Sequence, residues 1–155
     1  MDVLGFIALV VTGFTSCAEF GSYAFVHPVL RHLPREQHLH VEQGLLRTFG
    51  RVMPVLMTLC VILSILSISY AVQMNAVEGT ARFVHWASAI SFIGALVSTI
   101  IFNVPINRAT GQWNAGEPPE NWKATRNRWE FFQGVRSWLL LIGFVLLCLA
   151  MTLHS

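Results

Sequence analysis

Charged residues are scarce in this sequence, since Asp, Glu, Lys and Arg together make up only 12% of its 155 residues. Soluble globular proteins carry about 25% charged residues, so this composition excludes a chain that meets water over most of its surface. Ten basic and eight acidic residues give a net charge of only +2. The charge therefore gives no indication of a nucleic-acid partner.

Cysteine is rare as well. Cys17, Cys60 and Cys148 have no paired spacing, which excludes a disulfide framework and a cysteine-ligated zinc site. The chain also lacks the basic start of a secretion signal, because Met1 is followed by Asp2 and then by an apolar run that is too long for one. We expect the first apolar segment to be retained.

Long apolar runs are what the sequence has in abundance. Four of them, at roughly 3–30, 52–73, 83–106 and 131–153, each reach the ~20 residues that a helix needs to cross a bilayer. They predict an all-α, up-down-up-down bundle of four transmembrane helices in a single integral membrane domain, 1–155. The predicted helices cover about 3–30, 48–73, 82–106 and 129–153, joined on one side by loops 31–47 and 107–128.

The basic residues predict the orientation of this bundle. Arg82 is the only one of the ten Lys and Arg residues on the side opposite the two long loops. The positive-inside rule then places both loops in the cytoplasm and both termini outside, in a multi-pass protein of the bacterial inner membrane. The first loop contains His32, His38 and His40, for which we predict a solvated, partly helical connector; a metal or proton role is the alternative.

Helix 1 carries polar residues inside its apolar run. Glu19, Tyr23 and His27 are spaced four apart, so that each can touch the next on a helix. Glu19 lies about eight residues from the basic boundary, or roughly 12 Å deep at 1.5 Å per residue. An ionisable residue at that depth is by default a functional-site hypothesis, with a partner to be named. Our choice of partner is Arg136 in helix 4.

Polar residues of helices 3 and 4 reach the same membrane depth. They are Asn103 and Asn107 at the end of helix 3, and Trp129, Gln133 and Arg136 on one face of helix 4. The convergence favours a site over its alternative, a purely structural Glu19–Arg136 ion pair. Trp113 and Trp122 in the 3–4 loop are either interfacial anchors or the lid over a flat, apolar ligand.

Three short motifs resemble a known family when taken in order. They are Val26-His27-Pro28-Val29-Leu30, Asn103-Val104-Pro105-Ile106-Asn107, and the spaced residues Arg126, Trp129, Gln133 and Arg136. Together they resemble an anthrone-oxygenase-like family of small four-helix membrane proteins. Most members of this family are classed as a domain of unknown function. The resemblance implies oxidation of an activated aromatic CH2 to a carbonyl by O2, giving a quinone, without an obvious organic cofactor.

The needs of that reaction assign roles to the converging residues. A base must remove a C–H proton, and donors must stabilise the resulting oxyanion. His27 is the better base, because an unperturbed imidazole titrates close to neutral pH, and Glu19 is the alternative base. The predicted catalytic residues are His27, Glu19, Tyr23, Asn103 and Arg136. The predicted substrate-binding residues are Trp113, Trp122, Trp129, Gln133 and Asn107.

Two other functions stay open from the sequence. One is a metal- or haem-dependent redox protein, in which His27 and Glu19 would be ligands of haem, copper or iron. The other is a non-enzymatic protein, either a small-molecule transporter or a structural membrane subunit. The expected partners are the lipid bilayer, a small apolar aromatic substrate and O2, with no nucleic acid; small residues along helix 3 permit a homo-oligomer.

Overall fold

The computed structural model describes residues 3–75 and 77–153, and every regular element among them is helical. Four helices are long and apolar enough to cross a membrane. They are α1 (Val3–Leu30), α2 (Arg35–Gln73), α3 (Gly79–Gln112) and α4 (Trp122–Thr152). The predicted all-α bundle of four membrane-spanning helices is confirmed.

Three of the four helices extend beyond their predicted limits. Helix α2 begins at Arg35 rather than near residue 48, directly after Pro34, whose extended backbone (φ −53°, ψ 148°) starts the helix. Helix α3 runs on to Gln112, and α4 already begins at Trp122. Most of the sequence between 31 and 47 is therefore helix. At 1.5 Å per residue the 39 residues of α2 measure roughly 58 Å, well beyond the ~30 Å of a bilayer core.

Two wide turns explain why helices α1 and α3 continue through proline. Residues Ser22–Val26 in α1 and Thr99–Asn103 in α3 form π-helical turns. Pro28 and Pro105 follow shortly after these turns, each at the start of the next α-helical segment. Proline has no backbone N–H and its ring collides with the carbonyl four residues earlier. The wider turn accommodates this, and π turns are frequent at functional sites.

The middle of the bundle is packed through small residues and hydroxyl groups. Met57, Cys60, Phe92, Ala95 and Leu140 form a buried apolar cluster. Ser16 donates a 2.9 Å hydrogen bond to the Leu140 carbonyl, and Ser88 donates a 2.7 Å bond to that of Gly143. Such interhelical bonds and close contacts hold helices together in lipid, where apolar burial gives little driving force. Cys17, Cys60 and Cys148 are free thiols.

The outward surface of the bundle is apolar. Exposed large side chains occur on all four helices, among them Phe14, Ile62, Ile101 and Val145. A water-soluble protein seldom exposes so continuous an apolar surface, whereas a lipid-facing one requires it. The bundle is different at one end, where buried polar residues gather. We call it the cavity end; the helices end there at Leu30, Arg35, Gln112 and Trp122.

Candidate functional site

A cavity of about 460 Å³ opens at the cavity end, within the 300–1,000 Å³ range typical of small-molecule pockets. All four helices contribute to its wall. The apolar part comes mainly from α2, with Leu45, Leu46, Phe49, Met53 and Met57. The polar part comes from every helix, with Glu19, His27, Glu42, Asn107, Gln133 and Arg136.

The deeper polar wall is the Glu19 cluster, formed by Glu19, Gln133 and Arg136. Glu19 is only 1% exposed, and its Oε2 accepts hydrogen bonds from Arg136 Nη2 at 2.8 Å and from Gln133 Nε2 at 2.9 Å. Arg136 Nη2 also donates to Gln133 Oε1. The other carboxylate oxygen, Oε1, is buried without a hydrogen-bond partner. The structure thus contains the ion pair predicted between Glu19 and Arg136, and Glu19 Oε1 takes no part in it.

The second polar wall is the Glu42 cluster, formed by His27, His38, Glu42 and Arg126. Arg126 Nη2 lies 2.5 Å from Glu42 Oε2. The other oxygen, Oε1, lies 3.6 Å from both His27 Nδ1 and His38 Nε2. His38 is fixed through its Nδ1, which lies 2.8 Å from the Leu30 carbonyl oxygen. This cluster joins the ends of α1, α2 and α4, and all four side chains are buried.

Trp129 contacts the Glu42 cluster and lines the cavity. Its ring lies 5.0 Å from the His27 ring, centroid to centroid, and the Arg126 guanidinium stacks on it at 4.2 Å. Asn103 donates a 3.2 Å hydrogen bond to the Trp129 carbonyl and so ties α3 to α4 at this depth. The indole N–H of Trp129 is buried without a hydrogen-bond partner. It is therefore a donor available to a ligand.

The structure brings six of the ten predicted site residues to the cavity wall: Glu19, His27, Asn107, Trp129, Gln133 and Arg136. Tyr23 lies elsewhere, beside Gly134 and edge-on to Phe20, in a shallow groove between α1 and α4. Asn103 is buried behind the wall. The catalytic roles of Tyr23 and Asn103 therefore stay predictions, and the lining of the cavity does not support them.

The two loop tryptophans are also absent from the cavity lining. Trp122 lies edge-on to His38, with ring centroids 5.6 Å apart. The Trp113 carbonyl accepts a 2.8 Å hydrogen bond from Gln43 Nε2. Both residues fix the connection between α3 and α4 against α2. A lid role for them stays a prediction.

Sequence reasoning gave no site role to Glu42 or to Arg126, although Arg126 belongs to one of the motifs that resemble the family. Both stand in stretches assigned to cytoplasmic loops. For the loop that contains His38, it predicted a solvated connector, with a metal or proton role as the alternative. The structure buries all three, because the helices continue through those stretches. A signal was present: His38 and Glu42 are four residues apart, with Leu39 between them, which is the spacing of one buried helix face.

A metal ion would be held by His, Cys, Asp or Glu side chains. Within residues 3–75 and 77–153, no group of three or more of them is arranged to hold a metal ion. In the Glu42 cluster, the Arg126 guanidinium lies against the carboxylate that a metal ion would need. Glu19 is hydrogen-bonded to Gln133 and Arg136. A metal held by His27 and Glu19 stays a prediction.

Fold and cavity together define the class: an integral membrane bundle with a ligand-sized, partly polar cavity at one end. The chain belongs to the anthrone oxygenase family, whose model matches residues 46–146. The match covers most of α2, all of α3 and most of α4, and it includes Trp129, Gln133 and Arg136. Neither a curated protein nor a solved structure gives a significant match.

Proposed function

We propose that this protein is a membrane oxidoreductase that oxidises the activated CH2 of a flat, anthrone-like aromatic compound to a carbonyl with O2, inside the cavity. The observation that carries the proposal is the cavity itself, whose lining combines apolar side chains of α2 with buried polar side chains of α1 and α4. Family membership supports the reaction type. An apolar wall suits the rings, and a few fixed polar groups suit the reacting end.

The atoms and electrons of the reaction balance without a further reductant. A base removes one proton from the CH2 group, and the resulting electron-rich carbanion passes an electron to O2. The aromatic radical and superoxide combine, and a proton yields the hydroperoxide. Loss of water from the hydroperoxide gives the carbonyl, so that one CH2 and one O2 give one C=O and one H2O.

His27 is the base in this proposal. Its Nδ1 lies 3.6 Å from the Glu42 carboxylate, longer than a hydrogen bond, and this leaves Nε2 as the ring nitrogen for proton transfer. Such catalytic contacts often tighten only when the substrate is bound. A base that is oriented by a carboxylate, itself held by a third group, is a recurrent catalytic arrangement. Here Arg126 holds Glu42, and the Trp129 ring packs against the imidazole.

Trp129 and Glu19 bind the oxygen atoms of the substrate. The unpartnered indole N–H of Trp129 stabilises negative charge that develops on the carbonyl oxygen during deprotonation. The unpartnered Oε1 of Glu19 accepts a hydrogen bond from a phenolic hydroxyl. Gln133 and Arg136, whose donors are engaged with Glu19, hold that carboxylate in place.

Orientation and cofactor use belong to the same proposal. The cavity end carries Arg31, Arg35, Arg47, Arg51, Arg108, Lys123 and Arg128, so the positive-inside rule places it in the cytoplasm and both termini outside. A bound metal or haem is the alternative source of O2 activation. Metal analysis and the absorption spectrum of the purified protein distinguish the two.

The test is aerobic conversion of an anthrone by the purified protein in lipid nanodiscs, followed by quinone absorbance and O2 uptake. Wild type is expected to consume one O2 per quinone formed. His27→Gln should lower kcat by about 10²–10⁴-fold, the usual contribution of a general base. The matched control is His40→Gln, because His40 is exposed on α2, where it lies 3.8 Å from the exposed Glu36. Unchanged turnover in His27→Gln contradicts the proposal.

A further inference from the structure

The mouth of the cavity carries positively charged side chains that belong to neither the Glu19 cluster nor the Glu42 cluster. Arg47 and Arg51 of α2 and Arg108 of α3 line the cavity and are exposed. We call these three residues the arginine rim. Arg47 and Arg51 are four residues apart and therefore neighbours on one helix face, where like charges repel. An anion at the rim would relieve that repulsion.

The protein itself supplies no such anion among its described residues. Both glutamates that line the cavity are already paired, Glu19 with Arg136 at 2.8 Å and Glu42 with Arg126 at 2.5 Å. Across residues 3–75 and 77–153, none of the ion pairs includes an arginine of the rim. The cavity therefore has excess positive charge at its mouth, while its deeper charges are balanced.

We propose that the arginine rim binds an ionised acid group on the aromatic substrate, so that the cavity selects aromatic carboxylic acids over neutral polycycles. This proposal rests on the proposed function only for the aromatic ring system of the substrate. Guanidinium groups bind carboxylates through paired, charge-assisted hydrogen bonds. With the acid at the exposed rim, the rings enter between the apolar wall of α2 and Trp129. The reacting CH2 then lies towards His27, at the buried end.

A second source of the same chemistry is the phosphate of an anionic lipid, since basic residues near a membrane surface attract anionic headgroups. A headgroup at the rim would compete with the acid. Lipid composition therefore has to be varied in the test, and the probes must bind without reacting.

The experiment compares anthraquinone-2-carboxylate with its neutral methyl ester. Both probes are already oxidised at the reacting position, so binding is measured independently of turnover, by quenching of tryptophan fluorescence in phosphatidylcholine nanodiscs. The acid is expected to bind at least about tenfold more tightly than the ester, as hydrogen bonds to a charged group allow. The Arg47→Gln/Arg51→Gln/Arg108→Gln triple variant should lose that preference, because it binds the acid no better than the uncharged ester. Arg128→Gln, an exposed arginine of α4 outside the cavity, is the matched control.

Each outcome decides between the two proposals. Equal binding of acid and ester, or a preference that survives in the triple variant, overturns the role of the rim and leaves the oxygenase proposal standing. If the preference disappears when phosphatidylglycerol is added, the rim binds lipid headgroups. Its proposed role in binding the acid group of the substrate is then overturned as well. If neither probe binds, the aromatic cavity fails as well. Binding of the acid without any anthrone oxidation supports the rim while contradicting the oxygenase.

Discussion

The Glu19 and Glu42 clusters are built from the same groups, a buried glutamate and a buried arginine, but differ in how tightly the carboxylate is bound. Glu19 Oε2 accepts two hydrogen bonds of 2.8 and 2.9 Å from groups on a single helix, α4. Glu42 has one close arginine and two imidazoles at 3.6 Å, on three different helical segments. The first carboxylate is fixed, whereas the second lies among groups that can exchange protons.

The position of each cluster matches this difference. The Glu19 cluster lies deeper along α1, where water is scarce and an unpaired charge would be expensive. The Glu42 cluster lies where α2 extends past the length needed to span a bilayer, closer to water. Under the proposed function, the Glu19 cluster therefore binds the substrate and stabilises the bundle, and the Glu42 cluster transfers the proton.

The largest expected effect on stability is at Glu19. Glu19→Ala leaves Arg136 buried and unpaired, which should lower the free energy of unfolding by about 3–5 kcal/mol. The Glu19→Gln/Arg136→Met double variant removes both charges and should recover most of that loss. Thermal unfolding in nanodiscs measures both. A double variant no more stable than Glu19→Ala would show that the loss of stability does not come from leaving Arg136 unpaired.

A smaller effect is expected from Gly134→Ala, next to the Glu19 cluster. A Cβ there would lie 2.9 Å from the Tyr23 ring, so either that ring or the two helices must shift, at a cost of about 1–3 kcal/mol. Gly44→Ala is the control, because Gly44 is an exposed helical glycine with no atom near the added Cβ, and alanine favours a helix. Equal unfolding temperatures for the two variants would mean that α1 and α4 are not closely packed at Gly134.

The smallest effect is expected from a third acid–arginine pair, in which only the arginine is exposed. Arg31 Nε donates to Glu130 Oε2 at 2.7 Å; the Arg31 side chain is 53% exposed and that of Glu130 is 9% exposed. Water screens a pair with an exposed partner, and glutamine keeps a donor for Glu130, so Arg31→Gln should change the free energy of unfolding by about 1 kcal/mol. A loss comparable to that of Glu19→Ala would contradict the ranking of the pairs by burial.

Periodicity and charge were enough to predict the four helices and the Glu19–Arg136 pair. Apolar length identifies a membrane span, and an acid deep in such a span requires a partner. In the Glu42 cluster only His27 was predicted as a site residue, because Glu42 and Arg126 stand in polar stretches that composition alone assigns to solvent. The spacing of His38 and Glu42 was the one local indication of a buried helix face there. Only the continuation of α2 and α4 past the membrane, and the π turns that carry α1 and α3 through Pro28 and Pro105, bring these polar residues together.

The division between the two clusters is tested most directly by steady-state kinetics of Glu42→Gln and Glu19→Gln, normalised to folded protein, with exposed Glu36→Gln as the control. Glu42→Gln should lower kcat by on the order of 10²-fold, because His27 loses the carboxylate that orients it. Glu19→Gln should mainly raise KM and leave kcat within a few-fold, because Glu19 binds the substrate without moving its proton. The opposite result, a kcat that collapses in Glu19→Gln and survives in Glu42→Gln, would contradict the account.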